Sequence, residues 1–563
     1  ARERSTLPAA MTRPAVAAPP VIWSIAGHDT AGGAGLSADQ RAADALGVHL
    51  CPVVSALTAQ HSRGVTDLFP VPAAQLEAQL QALAEDLPPR AIKTGLLGSV
   101  AAVETVARWV DRLRAQAPAG GDPHRHLALI VDPVLRASAG GAAFSDDAIV
   151  AAYRQHLLPR ATVITPNRAE ARRLLGEPAQ HDGPDEAVPL LAQALQALGP
   201  QAVVVTGGDA PGGQHCLDWL LTPHAHGWLT APRVTTPHTH GTGCTFASGI
   251  AAAWALGHVA ADAVVLARML THHALQRAHA AGAGAGPVKA DAGFAAGVAH
   301  GGAPLPWLGL GTQLPWRLQD DGKTDGPLFQ PFAPPADGLY GILADGPQVR
   351  AAVEAGLRCV QLRHKSPDGL SAHLRESLAA SQAAGAQLFV NDHWRAALDL
   401  GETLPAGARV GLHLGQEDLL TLSPADQARL LSQRATWMLG LSSHSLWELA
   451  RAAGCGASLI ACGPVHPTTT KDMPWVPQGL DNLGWWVRHS PAPVVAIGGL
   501  LTPADVAEAA GTRPAAVCVV RGLGHTLAAM QAALPPLQAA WQTARAAAPT
   551  PMAPLPHAVL PTR

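Results

Sequence analysis

The sequence predicts two α/β domains in series, a layered α/β sandwich followed by a (β/α)8 TIM barrel. Three observations predict this. Between residues 21 and 305, short continuous apolar runs (VIWSIAG, LALIVDPV, ATVITPN, AVVVTGG) end in Gly, Pro, Asp or Asn and alternate with Ala/Leu-rich helical stretches. That is how buried parallel strands joined by crossover helices read. Residues 306–335 then turn Pro/Gly-rich and aperiodic, which reads as a linker. Residues 336–541 carry eight short apolar runs, LYGILAD, CVQLR, QLFVN, RVGLHLG, WMLGLSS, SLIACG, PVVAIGG and AAVCVVR, each gap long enough for about one helix.

The ends are expected to lie outside both domains. Residues 1–20 lack the apolar core of a signal peptide and read as a disordered leader, and residues 542–563 as a disordered tail. Few contacts are expected to cross the linker, so each half is expected to fold alone. At 563 residues, 48% hydrophobic and 14% charged, the chain is too long for one core and too apolar for disorder.

A net charge of −3 offers no basic field for nucleic acid, and no run of about 18 apolar residues offers a membrane span. The seven cysteines are scattered without a CxxC pair, which fits a reducing cytoplasm. The 26 histidines form pairs (224/226, 238/240, 272/273) without further ligands and read as structural or solvent-facing. Gly322-Lys323-Thr324 mimics the end of a phosphate loop, but Arg317 stands where its first glycine belongs.

In the first domain, strand one ends in Gly27-His28-Asp29-Thr30-Ala31-Gly32-Gly33-Ala34-Gly35, and Asp39 follows on a helix. Such glycines let backbone amides approach a ligand closely. Further on, His240-Gly241-Thr242-Gly243-Cys244-Thr245 opens the helical run FASGIAAAWALG. Amides converging at a helix N-terminus suit the charge on a transferring phosphoryl group. Cys244 is placed where a thiol's pKa is expected to fall.

The ordered set GHDTAGGAG, SALTAQ, IKTGLL, VDPV, TPN with Glu170, and HGTGCT resembles the hydroxymethylpyrimidine/phosphomethylpyrimidine kinases of the ribokinase-like superfamily. The resemblance implies that Asp29, Ala34, Asp39, Gln60 and Val134 line a pyrimidine pocket. It likewise implies that Asp132, Asn167 and Glu170 organise Mg2+ and ATP. Gly241 and Gly243 would form the anion hole, with Cys244 at the base position. One departure is Thr206, where the family usually has lysine before Gly207-Gly208.

Barrel enzymes gather function at the C-terminal ends of their strands. Here those ends carry Gln361-Leu362-Arg363-His364-Lys365, Asn391-Asp392, Gly415 to Asp418, Ser442, Thr468-Thr469-Thr470-Lys471, Gly498-Gly499 and Val520-Arg521. Cations beside hard carboxylates suit a magnesium-bound diphosphate, and the late glycines suit a second phosphate.

The order QLRHK, ND, GLHLGQED, GLSSHS, GPVHPTTTK, AIGGL resembles the thiamine-phosphate synthases. It implies condensation of hydroxymethylpyrimidine diphosphate with thiazole phosphate. Gln361, Leu362, Arg363, His364, Lys365, Asn391, Ser442 and Lys471 would bind the pyrimidine diphosphate, with Arg363 and Lys471 stabilising the leaving group. Thr468, Thr469, Thr470, Gly499, Val520 and Arg521 would hold the thiazole phosphate. Asp392 and Asp418 would converge on Mg2+. Arg521 stands where the family more often has serine.

The partners implied are small molecules, with homo-oligomerisation left open. The alternative is a pyridoxine-type vitamin kinase carrying a non-catalytic, ligand-sensing barrel. Retention of Asp392, Asp418 and Lys471 argues against it.

Overall fold

The computed structural model describes residues 18–136, 144–177, 185–208, 212–319, 326–400, 404, 407–468 and 474–560. The first ten strands are β1 (Val21–His28), β2 (His49–His61), β3 (Gly64–Pro70), β4 (Ala91–Thr94), β5 (Ala128–Val131), β6 (Val163–Ile164), β7 (Ala202–Val205), β8 (His215–Leu221), β9 (His226–Pro232) and β10 (Trp307–Leu308). They form one sheet in the order β10-β9-β8-β7-β6-β5-β4-β1-β2-β3. The centre, β2 through β7, is parallel, and antiparallel strands extend both edges.

Alternate residues of β1 face opposite helical layers, as strand geometry requires. Ile22 packs with Phe246, Ile250 and Val264, while Trp23 and Ile25 pack with Leu76 and Val103. The four apolar runs that the sequence marks as parallel strands are β1, β5, β6 and β7.

The next eight strands are β11 (Leu339–Leu343), β12 (Cys359–Leu362), β13 (Gln387–Asn391), β14 (Val410–Leu414), β15 (Met438–Ser443), β16 (Leu459–Cys462), β17 (Val494–Ala496) and β18 (Ala516–Val519). They close into a parallel barrel in sequence order, β11 pairing with β18. Its interior is filled by Tyr340, Ile342, Cys359, Phe389, Met438, Leu459, Val495 and Cys518. The fold class expected from the sequence therefore holds in both halves.

Two expectations about the connecting segments do not hold. The 306–335 segment is not a loose spacer. Trp307–Leu308 adds to the first sheet, Phe329 and Phe332 are buried, and the Leu328 and Gln330 amides donate to Gly456 O and Trp437 O in the barrel. The tail is not free either. The last helix runs to Ala546, and beyond it His557 N donates to Asn482 Oδ1 (2.8 Å) and Val476 N to Val559 O (2.8 Å). The leader up to residue 17 lies outside the described residues.

One apolar cluster runs without a break from Phe246, Val264 and Leu308 to Leu449, Leu483 and Trp541. The two domains therefore share a core. The pattern of apolar residues gives each element its buried face, but not which face of a barrel helix meets a neighbouring domain.

Candidate functional site

In the first domain, two glycine turns interlock at the C-terminal end of the parallel sheet. Gly241 has φ +88°, and a Cβ there would sit 2.2 Å from Gly33 O; a Cβ on Gly33 would sit 2.2 Å from the His240 ring. Only glycine fits at either position.

Asp29 locks this junction. Its Oδ1 accepts from Ala31 N (2.9 Å), and its Oδ2 accepts from Gly33 N (3.0 Å) and Ala34 N (2.8 Å) and lies 2.8 Å from His240 Nε2. Burial alone would raise its pKa. The His240 contact and the Ala34 and Ala31 amides outweigh that and hold it at about 2. Gln60 Nε2 lies 3.3 Å from the same His240 nitrogen. Val134 shares an apolar wall with Leu96, Phe144, Val65 and Leu68.

Asp29 and Asp39, both expected in the pyrimidine pocket, are each held by neighbouring protein groups. Asp29 is 4% exposed and its oxygens are spent on the loop. Asp39 is 0% exposed, with Lys93 Nζ at 2.9 Å and 3.0 Å and the Ser24 and Ser248 hydroxyls at 2.6 Å and 2.8 Å. Gln60, Val134 and Ala34 remain partly open and can meet a ligand.

Cys244 also departs from expectation. It sits in the first turn of the helix Thr242–Ala255, where the dipole favours thiolate. Burial outweighs the helix end and the Lys93 charge, the Asp39 and Asp132 carboxylates add to it, and the thiol is pushed up to about 12. The Gly35 amide donates to its sulfur, tying the two turns together.

Burial raises Asp132 to about 6, against the pull of Lys93. Asn167 and Glu170 form a reciprocal capping box, Asn167 Oδ1 accepting from Glu170 N (2.9 Å) and Glu170 Oε2 from Asn167 N (3.1 Å). Thr206 pairs with Asn167 by an isolated bridge, and nearby Arg233 donates to Gly208 O (3.1 Å).

In the barrel, a buried polar ladder crosses three strands. Asn391 Nδ2 donates to Gln361 Oε1 (2.8 Å), and Gln361 Nε2 to the Tyr340 hydroxyl (2.8 Å). A second pair joins His413 Nε2 and Ser442 Oγ at 2.9 Å. Burial, and then Arg363, pushes His413 down to about 4, so its ring is neutral. Arg363 Nε is buried without a hydrogen-bond partner, a donor left for an anion. Sequence reasoning missed Tyr340 and His413. Both are polar residues on otherwise apolar strands, which is the signal that marks them.

Leu362 follows Gln361 at the end of β12. Its side chain lies in the layer between strands and helices, because alternation turns it away from inward-facing Gln361. His364 is held by backbone, its two ring nitrogens 3.0 Å from Ala344 O and 3.0 Å from Asp368 O. Lys365 and Arg521 are exposed at the rim.

Asp392 and the Gly415–Asp418 turn follow the adjacent parallel strands β13 and β14 at the same barrel end, and Asp418 Oδ2 accepts from Gly415 N (2.8 Å). Asp392 adopts φ +66°, unusual outside glycine and best tolerated by Asn and Asp. Gly498 and Gly499, at φ +92° and +74°, pack against Pro464 and His466, and Val520 precedes the short turn Arg521–Leu523. Thr468 is described, whereas Thr469, Thr470 and Lys471 lie outside the described residues.

A glycine-rich turn opening a helix at the end of the first sheet, joined to a barrel with a cationic and carboxylate rim, is the arrangement of a bifunctional enzyme, a small-molecule kinase and a transferase. Residues 29–289 match the family model described as phosphomethylpyrimidine kinase, and residues 344–523 that described as thiamine monophosphate synthase.

The chain is 30% identical over 499 residues to the probable thiamine biosynthetic bifunctional enzyme, chloroplastic, of Oryza sativa subsp. japonica, covering 85% of this chain and 81% of that protein. It is 40% identical over 269 residues to the hydroxymethylpyrimidine/phosphomethylpyrimidine kinase of Synechococcus elongatus, covering 48% of this chain and 96% of that one. A pyridoxal kinase from Staphylococcus aureus, solved with AMP-PCP and pyridoxal, aligns with a TM-score of 0.42 and 28% identity, over 48% of this chain and 94% of that one. The chain belongs to the family of thiamine biosynthetic bifunctional enzymes. No described helix is long and apolar enough to cross a membrane.

Proposed function

We propose that the first domain uses ATP to phosphorylate hydroxymethylpyrimidine and then its monophosphate, and that the barrel condenses the resulting diphosphate with thiazole phosphate. In the second reaction the bond between the pyrimidine methylene and the diphosphate oxygen breaks, the electron pair leaving with diphosphate. The thiazole nitrogen lone pair forms the new C–N bond, giving thiamine phosphate. The observation that carries this reading is the barrel rim. The Asn391–Gln361 amides and Ser442 offer donors and acceptors to a pyrimidine edge, while Arg363 Nε stands unpaired for the departing phosphate.

The kinase residues orient the hydroxyl against the anion turn, and the His240–Asp29 pair fixes that turn's shape. Mg2+ fits the oxygen-bearing residues on hand: Asp132 and Glu170 in the kinase, and exposed Asp392 with Asp418 Oδ1 in the barrel. When bound, it neutralises phosphate charge. We place the reactions in a solution compartment; the rice relative's name gives a chloroplast, and a cytoplasmic site is our reading for this chain. The pyridoxine-type alternative is not favoured, because the matched family is the phosphomethylpyrimidine kinases.

Purified protein given hydroxymethylpyrimidine, thiazole phosphate and Mg-ATP should yield thiamine phosphate. Without ATP it should do so only when the pyrimidine diphosphate is supplied. Absence of product in both arms would overturn the barrel assignment.

A further inference from the structure

The helix Leu446–Gly454, which follows β15 on the barrel, is buried at all nine of its residues. Barrel helices ordinarily turn one face to solvent. This one is covered by the first domain and the connecting segment, which hold it at both ends.

At its N-terminus, Asp262 of the first domain accepts from Trp447 N (3.1 Å) and from the Leu446 amide. Ser445 Oγ accepts from Glu448 N (3.3 Å) and Ser445 O from Leu449 N (3.0 Å). The Leu446, Trp447 and Glu448 amides, which the helix's own ladder cannot pair, are therefore satisfied, two of them by the other domain, and Leu449 N makes the first bond of that ladder. At its C-terminus, Arg317 Nε of the connecting segment donates to Ala453 O (2.8 Å), a cation placed where the dipole favours one.

This helix reaches directly into the synthase rim. Ser442, four residues before it, is the penultimate residue of β15. Arg451 donates to Gln416 Oε1 (2.9 Å), and Gln416 Nε2 donates to Ser442 O (2.8 Å). A second line of contact is aromatic. His224 of the first domain lies 5.6 Å from Trp447, Trp447 lies 5.5 Å from Trp475, and Trp475 stacks on His444 at 5.6 Å and 8°. Trp475 comes shortly after the stretch that carries Thr468 and Lys471.

Accordingly, we infer that the kinase domain is a working part of the synthase site, with Asp262 a positioning residue that sets Ser442 through the helix Leu446–Gly454. This rests on the barrel being the synthase. Asp262 opens the helix Ala260–Gln276, beyond the far end of the 14-residue helix that carries Cys244. It is therefore about 20 Å along the chain path from the kinase turn and outside that machinery.

The test uses full-length protein. Asp262→Ala should raise the KM for the pyrimidine diphosphate about tenfold, by displacing the rim, with kinase turnover unchanged within about twofold. Asp262→Asn, which keeps one acceptor oxygen, should recover most of the KM. Hydrogen exchange should quicken in 442–449 in the alanine variant. A wild-type synthase KM for Asp262→Ala overturns the inference, as does an equal loss of both activities. If the alanine variant is insoluble, Asp262→Asn decides alone, through the same synthase-only change in smaller measure. A parent protein without synthase activity would instead sink the assignment of the barrel.

Discussion

Replacing Asp39 with alanine distinguishes a pocket carboxylate from a buried one. A pocket residue would cost pyrimidine affinity and leave folding untouched. The structure instead puts both side chains of the Lys93–Asp39 pair at 0% exposure, with Nζ 2.9 Å from Oδ1, and adds hydroxyl donors from Ser24 and Ser248. Alanine strands a buried ammonium and leaves two hydroxyls without their acceptor. Removing one partner of such a pair costs about 3–5 kcal/mol. In a domain of this size that corresponds to a drop of roughly 6–20 °C in melting temperature. Lys93→Met combined with Asp39→Leu removes both charges and keeps the volume apolar, so most of the loss should return. Calorimetry of the full chain, with kinase KM measured in parallel, reads both outcomes. The reasoning is refuted if Asp39→Ala melts within about 2 °C of the parent while its pyrimidine KM rises.

Because burial pushes Cys244 up to about 12, iodoacetamide should label it slowly at neutral pH, while Cys244→Ala should lower kinase turnover and spare the barrel; rapid labelling would contradict the first half. Asp392→Asn should remove most coupling activity with phosphorylation intact, so that the diphosphate accumulates, and raised Mg2+ should partly restore coupling; product analysis by chromatography checks this. His413, held down at about 4 in the folded chain against a usual value near 6.5, contributes stability that is present above about pH 6.5 and lost as pH falls through 4. His413→Gln should therefore flatten the acid limb of barrel stability in a pH-dependent melting series.

The parts of the fold legible in the sequence were those that local pattern determines. The apolar runs mark twelve of the strands, least ambiguously where glycine or proline ends them, as at β1, β7 and β17, because the turn that follows is local chemistry. The interlocked turns at Gly33 and Gly241 were likewise visible as motifs. Their lock was not, since His240 meets Asp29 across 211 positions of chain. Nor does anything local reveal that Lys93 lies opposite Asp39, 54 positions away. Cys244 shows a helix end in the sequence but not the Asp39 and Asp132 carboxylates that lie near it. The direction of the Leu362 side chain was legible in the sequence. Once Gln361 is taken as facing inward, a period of two turns Leu362 outward.

The connecting segment and tail misled for a shared reason. Proline and glycine report that a segment is neither helix nor strand, and say nothing of what it packs against. Here the non-regular chain does the joining. Trp307–Leu308 completes the first sheet, Arg317 closes the end of a barrel helix, and His557 and Asn482 bind each other through both backbone groups of His557. A barrel helix with Glu448 and Arg451 on its faces would be an unstable choice for burial unless those groups were matched. Glu448 accepts from His444 N (2.7 Å), and Arg451 is held by Gln416. That matched polar set lies within the barrel and lets the helix be buried without stranding a charge. The expectation that each half folds alone treats the boundary as a gap in composition. The physical boundary is a packed interface, and separating the domains would expose a helix that has the Leu446 and Trp447 amides and the Ala453 carbonyl paired across it.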